Sequence, residues 1–541
     1  MIPSLRRVWL VGSLLGLVGA ASVAHAVPSG APSAGPSSAA PLEAPSGPLP
    51  PSAVQTLGAM RAHESIVRLD VNEAREKLAP LDAADQDVAV ERALLAVYED
   101  DCDTAMATLM RAGIDRKQGG PAELAGLVRG CMHVVASTTV LDERARGYIV
   151  RLMDEDDAPL VPFLLDVADQ SLAALERDLK VRLPRPVHLD IVRDQFSLAA
   201  MTGLPEEAAQ TTGTVAIAKW GRVTMLSPRA TPHGYTWSDT LTHELTHLSV
   251  TRASTDRAPL WLQEGVAKRE ETRWRAPLPY DDQPPPDAVA RLGFDRGLGL
   301  SLDKLGPSIA MLPTAEQAMV AFAEVNSFVR YWIRENGDPA LGTFLHALSD
   351  APVKDGVDMV LRQQTGSDLA AWSDRWRRTL DSVTPSADVV QMLPPPKDAP
   401  RAAPAEKKPS LYRSARLAEL LGERGHTQQA LPYARRTLEA APRDPSAHAR
   451  LALLLHALGR HEEADALVAS LDQVRSAHGV FLALHAAAQR RRGDDGAARQ
   501  MASLAVGLDP LDATVACAGL GPDEEPADPP AAALCRIVRR R

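Results

Sequence analysis

The chain has 541 residues, room for three or four domains at about 150 residues each. Its 45% apolar and 24% charged residues exclude wholesale disorder and an integral-membrane class, and a net charge of −10 excludes a general nucleic-acid binder, which needs a basic footprint. Aromatics are only 4% and prolines number 43, so helices are expected to pack through Ala and Leu while the prolines gather in linkers and turns.

Residues 1–26 read as a secretory signal. Arg6 and Arg7 form a basic start, Val8 to Ala24 is uncharged and mostly apolar, and Ala24-His25-Ala26 offers a small-x-small cleavage site. No Cys follows the run, so no lipoprotein anchor is expected. No later stretch reads as a bilayer span, which predicts an exported protein of the bacterial periplasm or exterior with no membrane span after signal cleavage. Residues 27–52 are mostly Pro, Ser, Ala and Gly and read as a disordered linker. Residues 53–155 carry helical spacing, as in Val90, Leu94 and Val97, and are expected to form a helical domain. The four cysteines fall as Cys102 with Cys131 and Cys517 with Cys535, either two local disulfides suited to an oxidising compartment or buried thiols.

The pattern changes at about 156. A helix over 160–179 is predicted, then a strand over 187–192, two short strands at 214–218 and 223–226, and helices from about 238. A Pro-rich linker is expected at 383–409. The last segment repeats itself. Gly425, Gly459 and Gly493 are 34 residues apart, and so are Ala430, Ala464 and Ala498. That period, with Gly at a turn and Ala at a tight helix contact, is the tetratricopeptide pattern and predicts about three repeats over 410–513, then a tail at 514–541. Such units must stack, and the stack offers a protein-docking groove or braces its neighbour. Six histidines lie among the repeats without ligand spacing, and Arg539-Arg540-Arg541 is too short to imply nucleic acid.

The chemistry concentrates in His243-Glu244-Leu245-Thr246-His247. Three histidines are followed by Glu, and among them only His243 has a second His four residues on. On a helix that spacing points two imidazoles to one side one turn apart, fit for zinc, with Glu244 placed to face a water. Trp237, Leu241, Leu245 and Leu248 form a separate core stripe. Catalytic zinc keeps three protein ligands. Glu264, 17 residues past His247 on a helix opened by Pro259, is the favoured third ligand, with Asp256, Glu270 and Glu271 as fallbacks. A surface pair of Glu264 with Lys268 is the plainer alternative. Gly265 is expected to remove bulk beside the metal.

HELTH followed by Trp261-Leu262-Gln263-Glu264-Gly265-Val266-Ala267 resembles the gluzincin zinc peptidases, in particular the bacterial peptidase MA-like domains. The resemblance covers about 160–380, including Asp194-Gln195-Phe196, Leu226-Ser227-Pro228-Arg229, Ser327-Phe328-Val329-Arg330-Tyr331-Trp332, and Trp372 with Trp376. It implies a zincin-like α+β catalytic domain at 156–382 within a mainly α protein flanked by the helical domain and an α-solenoid. It also implies one catalytic zinc on His243, His247 and Glu264, with Glu244 as the catalytic base. An edge strand at 214–218 would then hold an extended peptide. The family often carries a Tyr where this chain has Phe322; Tyr235, Tyr280, Tyr331 and His233 are candidate substitutes. The expected function is peptide-bond hydrolysis, with the repeats docking a protein partner or substrate. The alternative is a weak or inactive zincin-like scaffold in the envelope.

Overall fold

The computed structural model describes residues 51–114, 120–208, 213–230, 235–278, 281–282, 284–305, 308–394, 411–471, 478–518 and a few residues between 520 and 536. The expected signal at 1–26, nearly all of the first linker and Arg539–Arg541 lie outside the described residues. The chain divides into two compact units, one holding residues up to 66 and 70–128, the other 67–69 and 129 onward.

The first unit is helical. Helices α1 (Pro51–Val67), α2 (Val71–Leu78), α3 (Gln86–Tyr98), α4 (Cys102–Arg111) and the first half of α5 (Gly120–Val135) compose it. The predicted linker therefore ends at 50, because Pro51 and Ser52 open α1. Asp85 and Asp101 cap α3 and α4 by accepting from the first free backbone N–H groups. Val88, Ala93 and Leu109 are fully buried.

The second unit contains a five-stranded sheet, β1 (Thr139–Glu143), β2 (Tyr148–Leu152), β3 (Val187–Val192), β4 (Ala216–Lys219) and β5 (Arg222–Leu226). Its order is β1-β2-β3-β5-β4. β2, β3 and β5 run parallel, and the outer strands β1 and β4 pair antiparallel to their neighbours. The predicted all-helical character of 53–155 is corrected here. The hairpin β1–β2 lies before residue 156 and pairs with β3. All five residues of β2 are buried, so the strand lacks the polar alternation that marks a half-exposed one. The strand expected at 214–218 begins two residues later.

Helix α6 (Val161–Leu179) follows β2. Residues 155–179 are long and apolar enough to cross a membrane, contrary to the sequence expectation, but half of that window is buried and α6 packs on the helix at Trp237–Ser254. Tyr148, Val150, Leu189, Ile191, Val223 and Met225 fill one core with α6 and the helices after the sheet. On the opposite sheet parity, Asp190 of β3 sits between Arg151 of β2 at 3.6 Å and Arg222 of β5 at 3.7 Å, all three buried. A buried carboxylate is tolerable when cations and hydroxyls surround it, and Thr224 Oγ1 also approaches Asp190 Oδ2 at 3.4 Å. Helix α7 (Gln195–Thr202) packs on β3, β4 and β5.

After the sheet come α8 (Trp237–Ser254), α9 (Leu260–Glu270), α10 (Pro286–Asp295), α11 (Ala315–Asn336), α12 (Pro339–Leu348), α13 (Gly356–Thr365), α14 (Leu369–Leu380) and α15 (Ala387–Met392). The last of these corrects the second linker. Val389 and Leu393, four residues apart, are buried in the main core, and Arg296 donates to the Val390 and Pro394 carbonyls at 2.7 and 2.9 Å. Residues 395–410 lie outside the described residues.

The 34-residue period emerges as three helix pairs: α16 (Leu411–Glu423) with α17 (Thr427–Ala440), α18 (Pro445–Ala457) with α19 (His461–Ala469), and α20 (Gly479–Arg491) with α21 (Asp495–Leu508); a short α22 (Ala513–Ala516) closes them. Gly425, Gly459 and Gly493 make the three turns with φ of 77°, 74° and 84°. Ala430, Ala464 and Ala498 are fully buried where helices meet. Cys517 and Cys535 form a disulfide, and no cysteine is free among the described residues. Mainly helical architecture with one small mixed sheet is thus what the described residues show.

Candidate metal centre

Helix α8 carries the HELTH segment, and its burial splits as the sequence stripe predicts. Trp237, Leu241, Leu245 and Leu248 are buried in the core. The remaining faces bury polar groups, some of whose hydroxyls the helix satisfies with its own carbonyls. Thr246 Oγ1 donates to the Thr242 carbonyl at 2.7 Å and Ser249 Oγ to the Leu245 carbonyl at 2.9 Å. Across the helix packing, the hydroxyls of Ser171 in α6 and Thr242 in α8 meet at 2.6 Å.

His243 and His247 stand one turn apart with ring centroids 4.9 Å from each other. Glu264 of α9 reaches both: its Oε2 lies 3.4 Å from His243 Nε2 and 3.6 Å from His247 Nε2. The three ligand atoms fall within 4.8 Å of one another. Tetrahedral zinc with bonds near 2.0–2.1 Å places its ligand atoms about 3.3–3.4 Å apart, so the donor set fits that ion with little movement.

The other ring nitrogens are also held. His243 Nδ1 meets Glu271 Oε2 at 3.2 Å, and Lys268 Nζ donates to both Glu271 oxygens at 2.7 and 2.9 Å. His247 Nδ1 meets Gln263 Oε1 at 3.3 Å, while Gln263 Nε2 donates to Thr251 Oγ1 at 3.1 Å. Partners on Nδ1 orient each ring and leave Nε2 facing Glu264, where a metal would be held. Burial works against a charged His243, but Glu264 and Glu271 outweigh it and raise its pKa to about 10. Burial likewise opposes the Glu264 carboxylate, and the two histidines more than offset it, holding it well below the usual carboxylate range. Two imidazoles converging on one carboxylate make a site that attracts a cation.

Glu244 is buried at 6% exposure and its Oε2 accepts from the Ala218 backbone N–H at 2.5 Å. Burial raises its pKa, with the neighbouring histidines pulling the other way. Strand β4 ends the sheet, and Ala218 turns its N–H out of the ladder toward α8. The edge strand and the helix that bears the histidines are therefore in direct contact.

Several expectations are corrected by this geometry. Gly265 does not clear space for a metal. A Cβ there would meet Val329 Cγ2 at 2.4 Å and the Val325 carbonyl oxygen at 2.7 Å, so the glycine lets α9 lie against α11. Lys268 pairs with Glu271 rather than Glu264. Of the fallback ligands, Glu271 backs His243, Glu270 faces Arg269 and Asp256 lies in the turn after α8. Phe322 packs near His243 with centroids 6.5 Å apart, and the Lys268 ammonium lies 5.8 Å from its ring centre. Tyr235 donates its hydroxyl to the Leu226 carbonyl at 2.5 Å, Tyr331 is buried beside Trp372, and His233 and Tyr280 lie outside the described residues. Sequence reasoning missed Gln263 as the partner of His247. Its position next to Glu264 was the available signal.

A scan of the chain against protein-family models and a search of curated proteins return no match.

Proposed function

We propose that the chain is an exported, zinc-dependent peptidase of the gluzincin, peptidase MA-like type. The observation that carries this reading is the convergence of His243, His247 and Glu264 beside Glu244, with an edge strand touching the base. A bound zinc ion supplies Lewis-acid activation of water and of the scissile carbonyl.

The chain's own residues account for the rest. His243, His247 and Glu264 would hold the ion, and Glu271 and Gln263 keep the two rings oriented. Glu244 takes a proton from the attacking water and later gives it to the leaving amine nitrogen. Its burial favours the neutral acid, which suits the second transfer, and the nearby histidines favour the carboxylate, which suits the first. The outer edge of β4, apart from the Ala218 N–H that Glu244 takes, gives an extended peptide a backbone to pair with. The helix pairs at 411–508 serve as tetratricopeptide-like repeats that dock a protein substrate or partner.

One observation favours a second reading, a zinc-holding envelope scaffold without turnover. Phe322 presents a ring rather than a hydroxyl beside His243, so α11 offers no O–H donor there for a developing oxyanion. Zinc content by elemental analysis and casein cleavage, each measured beside Glu244→Gln, separates the two. The peptidase reading expects one zinc per chain and a rate lowered by about 10²–10⁴ in the variant with zinc retained. Stoichiometric zinc without cleavage in the wild type would support the scaffold, and absence of zinc would sink both.

A further inference from the structure

We infer that the repeat array is a working part of the metal centre, because its hydrophobic core seats the segment that positions the His243 turn of α8. This rests on the metal reading above. The connection is continuous. Helix α21 packs against α8. Leu278, in the segment after α9, packs on the hydrophobic core of the array, and Leu511, just past α21, packs on the core of the peptidase region. Each core thus receives a leucine from the other.

The segment that carries Leu278 is tied to α8 by a charged clip. The Leu278 N–H donates to Asp281 Oδ2 at 2.7 Å. Asp281 accepts from Arg275 Nη1 and Nη2, both at 2.9 Å. The same guanidinium donates through Nε to Asp239 Oδ1 at 2.8 Å and through Nη2 to Asp239 Oδ2 at 2.6 Å. The Trp274 indole N–H adds a donor to Asp239 Oδ1 at 3.1 Å. Asp239 is four residues before His243, so the two side chains share one helix face. The clip is largely shielded, with the Arg275 and Asp239 side chains 12% and 11% exposed. A two-pronged guanidinium–carboxylate pair fixes angle as well as distance. Glu271, the partner of His243 Nδ1, is only four residues before Arg275. The ring and the helix turn beneath it therefore take their position from one segment, and that segment is anchored in the array.

Asp239, Arg275 and Leu278 are positioning residues in this account, and none needs to touch substrate. The test uses the full chain with Leu278→Ala and Arg275→Gln. Three quantities are measured: zinc affinity by competition with a chromogenic chelator, amide hydrogen exchange over 237–247, and thermal melting. Leu431→Ala, in the first helix pair, is the control for general weakening of the array. Leu278→Ala is expected to lower zinc affinity about 10-fold and Arg275→Gln up to about 100-fold, the range for loss of an outer partner of a metal ligand. Both should speed exchange over 237–247, and Leu431→Ala should do neither. Zinc affinity and exchange unchanged in Leu278→Ala, with the array melting earlier, would overturn the inference. So would equal effects from Leu431→Ala. Leu278→Ala removes only part of a half-buried side chain, so it keeps the test decisive even if Arg275→Gln does not fold. Exchange is read without zinc or turnover, so failure of the metal reading and failure of the coupling give different results.

Discussion

Glycine is used in opposite ways in the two halves of the second unit. Gly265 sits inside α9, where its backbone is ordinary helix and its value is the missing Cβ: Val329 and the Val325 carbonyl occupy that space. Gly459 sits at the turn of the middle repeat, where a Cβ would meet nothing within 4 Å and the backbone, at φ 74°, is what demands glycine. Around the candidate metal centre, helix backbones are pressed together to fix where Glu264 stands. In the array, a backbone sign is repeated every 34 residues to keep the pairs in step. The first constraint is specific to one contact, the second is a rhythm. They should fail differently when tested.

Among the glycine substitutions, the largest effect is expected at Gly265. In Gly265→Ala the new methyl meets a backbone oxygen at 2.7 Å, which cannot swing aside as a side-chain tip can. Overpacking of this kind costs about 1–3 kcal/mol, and the upper part of that range applies because backbone must move. Thermal melting reads the loss. The shift also moves α9, so zinc affinity should fall along with stability. A Gly265→Ala protein with wild-type melting and zinc affinity would show that the α9–α11 contact is looser than the described distances.

The same contrast explains what was legible in the sequence. A rhythm can be seen without partners, so Gly425, Gly459 and Gly493 marked the turns of the three pairs directly. The i, i+4 histidines were legible for the same reason, since helix geometry alone puts them together. Glu264 was readable as a candidate third donor because α9 follows α8 closely, and the structure places its carboxylate within 4.8 Å of the two imidazole donor atoms. What depended on a distant partner was not readable. Arg151 made β2 look unlike a buried strand, and only Asp190 on the neighbouring strand explains why it can sit there. Glu271 looked like a spare ligand, whereas its place one turn beyond Lys268 puts it on His243 Nδ1, behind the ring, rather than with Glu264 on the Nε2 side. Val389 and Leu393 were hidden among prolines until the core they enter was visible.

A pH experiment sharpens the comparison further. The helices around the centre bury charge, and Glu324 of α11 is a case outside the candidate metal site, with no exposure and, among the described residues, the Leu300 N–H donating to it at 3.1 and 3.3 Å. Burial pushes its pKa from 4.5 up to about 8, with the Leu300 N–H pulling weakly the other way. The sign follows from linkage. The folded state holds this proton more tightly than the unfolded state, so its contribution is complete below the unfolded value and is lost as pH rises through the window from 4.5 toward 8. One such proton limits the slope to about 1.4 kcal/mol per pH unit. Glu324→Gln should remove this slope, raising melting temperature at pH 8 relative to the wild type and leaving little difference at pH 4. Parallel curves for the two proteins across that range would mean that the Glu324 carboxyl titrates normally.

The smallest effect is expected in the array, and its size tests whether the turn is a matter of backbone alone. Gly459→Ala introduces no clash, so only the left-handed conformation opposes it, at about 1–2 kcal/mol. Alanine also narrows the unfolded ensemble, which returns about 0.4–1 kcal/mol. The net loss should therefore be about 0–1.6 kcal/mol, under that of Gly265→Ala. Gly425→Ala and Gly493→Ala should match it, since their φ angles agree within 10° and their added Cβ atoms also meet nothing. Asn at Gly459, which tolerates this region better than Ala, should recover part of the loss, whereas Asn at Gly265 should be worse than Ala. That reversal is the sharpest discriminator, because a single pair of substitutions ranks oppositely at the two sites only if one glycine answers to sterics and the other to backbone sign. The same ranking at both sites, read by melting temperature, would collapse the distinction between them.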